Sequence, residues 1–147
     1  MNSSLAKNNT FKNDVIFIDG FWGTGKSIIA PIVGAMEGVE KQKIEHIYEY
    51  LCVLIYLNKI EADAADSLLK IYADLSQYNN LIGREVNLRW HDDSGPRNNP
   101  NSLRYVQRIF GKEGDKIIED INEQNLALNV MSHMITQISE PLVNAYG

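Results

Sequence analysis

Residues 15–27 read VIFIDGFWGTGKS, an apolar run followed by a glycine-rich turn that ends in Lys-Ser. Val15-Ile16-Phe17-Ile18 is short, continuous and rich in β-branched residues, as a strand buried on both faces should be. Gly20-Phe21-Trp22-Gly23-Thr24-Gly25-Lys26-Ser27 fits the phosphate-binding pattern G-x-x-x-x-G-K-[ST] at every fixed position. Each position has a physical reason. The glycines let the backbone turn so tightly that successive N–H groups converge on one anion. A helix beginning at the end of the loop adds unpaired N-terminal donors and the positive end of its dipole. Lys26 brings a point charge to the transferring group, and Ser27 offers a hydroxyl to magnesium or to a phosphate oxygen. All eight residues from Gly20 to Ser27 are therefore expected to cradle the phosphates of a nucleotide, with Lys26 also catalytic.

Outward from this motif the pattern is mostly helical. Ile28, Ile29, Ile32, Val33 and Met36 recur at helical spacing, with Pro31 expected to bend the helix and Gly34 and Gly38 to end it. Ile44, Ile47, Tyr48, Leu51, Leu54 and Ile55 predict a second helix. Ala65, Leu68, Leu69, Tyr72 and Leu75 predict the inner face of a third, stopped by Asn79-Asn80. Val86, Leu88 and Trp90 alternate with polar residues and form the only other strand-like piece. Residues 91–101 (HDDSGPRNNPN) carry the chemistry of a loop. Ser102 is placed to cap a short helix holding Leu103, Val106 and Phe110, closed by Gly111. From about Asp115 the spacing of Ile117, Ile121, Leu128, Met131, Ile135 and Ile138 predicts one long last helix, with Pro141 at its end or at a new short turn.

The expected architecture is an α/β P-loop fold, predominantly helical, with one clear strand at Val15–Ile18. A single strand cannot satisfy its own backbone groups. The sheet is therefore expected to be incomplete within this chain or completed by another copy, as in a homodimer. Residues 1–14 read as a flexible polar tail and residues 15–147 as one domain.

Composition narrows the function classes. The 147 residues are 44% hydrophobic and 22% charged, with a net charge of -5. That is ordinary for a globular domain, and it argues against broad binding to nucleic acid. The single cysteine, Cys52, excludes an intramolecular disulfide and a thiolate zinc site. The polar N-terminus has no apolar core of a signal peptide, and no apolar run approaches membrane-spanning length. A cytoplasmic protein is expected.

The charge is unevenly spread. All five arginines lie between Arg84 and Arg108, and every lysine lies outside that stretch. Arg84, Arg89 and Arg97 are candidates to clamp an anionic substrate, because guanidinium forks match sulfate, phosphate and carboxylate. The bland alternative is solvated surface beside Asp92 and Asp93. His46 is a candidate general base for an acceptor hydroxyl, against the alternative of a boundary residue on an amphipathic helix. His91, Asp92 and Asp93 are consecutive in a turn, and His46 and His133 are far apart in sequence, so no metal site is expected. Trp22 stacks on a base or covers the phosphates, or else anchors the core beneath the loop. No second apolar run ends in an acidic residue, so a magnesium-holding strand is not legible.

The stretch from Val15 to Gly147 resembles the N-terminal half of a bacterial sulfotransferase-like protein. The segment VIFIDGFWGTGKSIIAPIVGAME (residues 15–37) sits where that superfamily places its strand–loop–helix. Residues 44–57 (IEHIYEYLCVLIYL) and 83–102 (GREVNLRWHDDSGPRNNPNS) are similar to its substrate-side insertion. The resemblance implies a transferase that takes 3′-phosphoadenylyl sulfate (PAPS) as sulfuryl donor and a small-molecule acceptor. Such enzymes need no metal, which would account for the missing acidic strand end. The literal Gly-Lys-Ser ending is closer to nucleotide kinases and NTPases, so ATP or GTP with magnesium is the alternative. A third alternative is an inactive helical interaction module with a vestigial P-loop.

Overall fold

A computed structural model describes residues 4–7, 10–11, 14–99, 101–111 and 115–147. Three parallel strands, β1 (Val15–Ile18), β2 (Val39–Ile44) and β3 (Ala127–Met131), form an open sheet in the order β1-β3-β2. Among the described residues six α-helices accompany it: α1 (Lys26–Val33), α2 (Ile47–Tyr56), α3 (Ala62–Leu81), α4 (Ser102–Gln107), α5 (Asp115–Gln124) and α6 (Glu140–Tyr146). The chain is thus an α/β fold, mainly helical as expected. The sheet has three strands rather than one, which corrects the strand count.

Both missed strands are disguised by polar residues. β2 reads VEKQKI, and its two buried side chains are Glu40 and Gln42. Glu40 is neutralised by Arg108, whose Nη1 donates to Oε1 at 2.9 Å, and Gln42 Nε2 donates to the Asp93 carbonyl at 2.9 Å. A pattern search for buried apolar residues passes over such a strand, and Ile44 ends it instead of starting the second helix. β3 lies inside the stretch read as one long helix. Asn125 adopts a left-handed backbone (φ 42°) that stops α5 at Gln124. As the central strand, β3 is buried on both faces, so Leu128, Asn129, Val130 and Met131 show no alternation. Asn129 keeps its polarity there because Nδ2 donates to the Ala30 carbonyl at 3.0 Å. Residues 86–89 pair with no strand; the Asn87 N–H donates to Tyr105 Oη at 2.7 Å instead.

α1 lies against one face of the sheet, with Ala30 inward. Its isoleucines are turned out: Ile28, Ile29 and Ile32 are 70%, 51% and 59% exposed. On the other face Val15 and Phe17 of β1 and Val130 of β3 meet Tyr48, Leu51 and Cys52 of α2, Leu69 of α3, and Leu142 and Ala145 of α6. Tyr48 is the centre of this core, fully buried, with edge-to-face rings at 5.2 Å (Phe17), 5.5 Å (Tyr72) and 6.4 Å (Tyr146). The third helix also differs in face. Leu68 and Leu75 point outward, while Ala65, Leu69, Ala73 and Gln77 are buried.

The N-terminal segment read as a flexible tail lies along α3 where it is described. Phe11 is buried with Leu81, Ile82, Ile117 and Ile121, and its N–H donates to Asp74 Oδ1 at 3.2 Å. Lys7 pairs with the same carboxylate at 2.6 Å.

Lys41 of β2 sits over the Tyr105 ring, Nζ 3.7 Å from its centroid, and donates to the Ser94 carbonyl. Burial depresses its pKa to about 8; Glu40 opposes the shift, while Arg108 and Lys43 add to it. Between pH 8 and the ordinary lysine value of 10.5 the unfolded chain holds more protons than the native state, so this group makes stability rise with pH. Lys41→Met removes that rise. The difference in melting temperature between variant and wild type, followed from pH 7.5 to 9.5, checks it; a constant difference would contradict the assignment.

Candidate phosphate-binding site

The loop between β1 and α1 has the backbone that its glycines predict. Gly20, Gly23 and Gly25 have φ of 148°, 79° and 87°, a region in which a side chain is strained. Gly25 is the N-cap of α1, which has no side-chain cap and no acidic residue in its first turn. Its first N–H groups and the positive end of its dipole therefore point into the loop with nothing negative from the helix to satisfy them. Thr24 Oγ1 donates to the Phe21 carbonyl at 2.8 Å and pins the turn. Lys26 is only 8% exposed. Its ammonium folds back under the loop to donate to the carbonyls of Gly20 and, at 2.9 Å, Phe21. Ser27 is exposed beside it.

Asp19, the last residue before the loop, locks its base. Its carboxylate accepts from Ser132 Oγ at 3.1 Å, from the N–H groups of Ile135 (3.0 Å) and Thr136 (2.9 Å), and from the Thr136 hydroxyl. Burial alone would raise its pKa, but these donors outweigh it and hold the carboxyl below the ordinary value of 3.8. Asp19 thus contributes stability that is full above pH 3.8 and is lost as pH falls through its lower folded value. Asp19→Asn turns an amide donor toward these donors and is expected to lower the melting temperature at pH 7. Scans from pH 7 to 2 should show the difference from wild type closing in acid; a pH-independent gap would rule out the ionised carboxylate as its source.

The loop opens on a cavity of about 620 Å³ at the carboxyl ends of the parallel strands, where open α/β sheets bind their ligands. Phe21 to Ser27 line it together with Ile44, His46, Asp93, Met131 and His133. Trp22 is 83% exposed and stacks on the His133 ring (5.2 Å between centroids, 24° between planes), so it is not a core anchor. His46 and His133, distant in sequence, lie 5.8 Å apart between ring centroids. Glu49 joins them: its Oε2 is 3.6 Å from His46 Nδ1, and its Oε1 is 3.1 Å from His133 Nδ1. Sequence separation was therefore no guide to whether these histidines meet.

Of the sequence-predicted site residues, Phe21 to Ser27 and His46 line one cavity, with Gly20 at the base of their loop. Among the described residues no arginine lines it. Arg84 Nη1 donates to Asn79 Oδ1 at 2.9 Å. Arg89 is exposed with Asp92 at 3.6 Å, and Arg97 is exposed on a short 3-10 helix, Pro96–Asn98. Glu49 and His133 were not read as site residues. The His-x-x-Glu spacing at residues 46–49, one helical turn, was the available signal for Glu49; nothing in the sequence announces His133. No family model, curated protein or solved structure matches this chain.

Proposed function

We propose that this chain binds the phosphate or phosphosulfate of a nucleotide at Gly20–Ser27 and transfers a group from it, with PAPS as the donor. One observation carries the reading: three left-handed glycines wrap an uncapped helix N-terminus around a buried lysine, at the mouth of a cavity large enough for a ligand. In the transfer, the acceptor hydroxyl oxygen forms a bond to sulfur in line with the departing phosphate oxygen. The S–O bond to that oxygen breaks and its electron pair leaves with the phosphate. Lys26 neutralises the charge developing there. The acceptor's proton passes to His46, which lines the same cavity.

The choice of donor rests on the end of β3. The residue there, next to Asp19, is Ser132, and Asp19 itself is occupied by its four donors. The residue directly after β3 is thus a serine and not an acidic group, which favours a donor that needs no magnesium held there. Calorimetric titration with 3′,5′-adenosine bisphosphate, and separately with ATP and magnesium, tests the reading. Binding of the bisphosphate without metal is the expected result. Preference for magnesium-ATP would replace the sulfuryl donor by a phosphoryl one and make the chain a kinase or NTPase. Binding of neither would leave the third reading, a vestigial loop.

A further inference from the structure

We infer that His46, Glu49 and His133 form a binding site for one divalent first-row transition ion of the zinc class, beside the cavity that the phosphate loop lines. Three elements bring the ligands together. His46 is the N-cap of α2 and Glu49 lies in its first turn, so the i, i+3 spacing puts both on one side of the helix. His133 comes from the turn after β3. One donor atom from each lies within 4.8 Å of the other two, with Glu49 in the middle at 3.6 and 3.1 Å from the two Nδ1 atoms. Tetrahedral zinc with arms of about 2.0–2.1 Å spaces its ligands about 3.3 Å apart, so small side-chain movements complete the set.

The neighbours hold the ligands in place. Glu49 accepts the His133 N–H at 2.9 Å, and Trp22 stacks on the His133 ring. Two imidazoles and one carboxylate suit zinc, cobalt, nickel or iron better than magnesium or calcium, which take oxygen ligands. Three protein ligands leave a coordination position for water or a substrate oxygen, the arrangement of catalytic rather than structural zinc. The same contacts without an ion would be a hydrogen-bonded His–Glu–His trio. The site stands independently of the nucleotide reading. Where both hold, the ion would take the place of His46 in readying the acceptor, lowering the pKa of a hydroxyl bound to it so that its proton passes to water.

The test uses the full chain, stripped with chelator and titrated with zinc alone against a chromophoric competitor, with cobalt as spectroscopic probe. One saturable equivalent is expected. The cobalt spectrum should show d–d bands without a thiolate charge-transfer band, since the only cysteine, Cys52, is buried in the core. His46→Ala is the primary variant, because that side chain is half exposed and its loss spares the fold. It should weaken zinc binding by at least the ~10–100-fold that loss of a mere outer-shell partner costs. His133→Ala should do the same, with circular dichroism confirming that it folds. Several weak equivalents, or a zinc affinity that His46→Ala leaves unchanged, would overturn the site. Neither result would touch the bisphosphate titration, so the two readings fail separately.

Discussion

Lys26→Met is expected to lower affinity for the proposed nucleotide ligand by about 10–100-fold while leaving the circular dichroism of the chain unchanged. A hydrogen bond to a charged group is worth roughly 1.5–3 kcal/mol, and each 1.4 kcal/mol is about a factor of ten in affinity. Methionine replaces the buried stem at similar volume, so the packing around residue 26 survives. Only the ammonium goes, and with it the bonds to the carbonyls of Gly20 and Phe21. That ammonium is the one positive side chain of the loop, so under the proposed function its loss acts on binding directly. Calorimetry on wild type and variant with the same probe decides it. Equal affinities would remove the central claim, because the helix N-terminus alone would then be holding the anion.

The largest effect on stability is expected from Tyr48→Ala. Tyr48 is fully buried at the meeting point of α2, α3, α6 and β1. Removing a buried aromatic side chain costs about 3–5 kcal/mol, a large part of the 5–15 kcal/mol that holds a domain together. For a chain of this size that corresponds to a fall of about 10–20 °C in melting temperature. Tyr48→Phe keeps the ring and the three edge-to-face contacts, and should lose far less. Differential scanning calorimetry on both variants separates ring from hydroxyl; similar losses would place the stability in the hydroxyl and not in the aromatic cluster.

These two residues mark the limits of the sequence. Lys26 was legible because its setting is local: strand, loop, lysine and helix are contiguous, and a motif is a statement about neighbours along the chain. The same locality made α3, α4 and the loop of residues 91–99 readable. Local periodicity failed where tertiary packing reversed its meaning. Ile28, Ile29 and Ile32 recur at helical spacing and lie on a helix, yet α1 turns them outward and rests Ala30 on the sheet. β2 buries Glu40 and Gln42, which no apolar pattern marks, because their partners Arg108 and Asp93 are supplied from elsewhere in the fold. β3 was hidden for the opposite reason: buried on both faces, it has no alternation, and its spacing happened to continue that of α5.

The sequence by itself determined that an apolar strand runs into a glycine-rich turn with a lysine, and that helices dominate the rest. The glycine requirement and the 3.6-residue period are properties of short stretches, and they hold wherever such a stretch is placed. Only the tertiary structure decided the three-stranded parallel sheet, the locking of Asp19 by the turn after β3, and the meeting of His46, Glu49 and His133. Parallel neighbours are distant in sequence, because each pair requires a crossover connection. What gathers at their carboxyl ends is therefore fixed by strand order and register, and no window along the chain contains it.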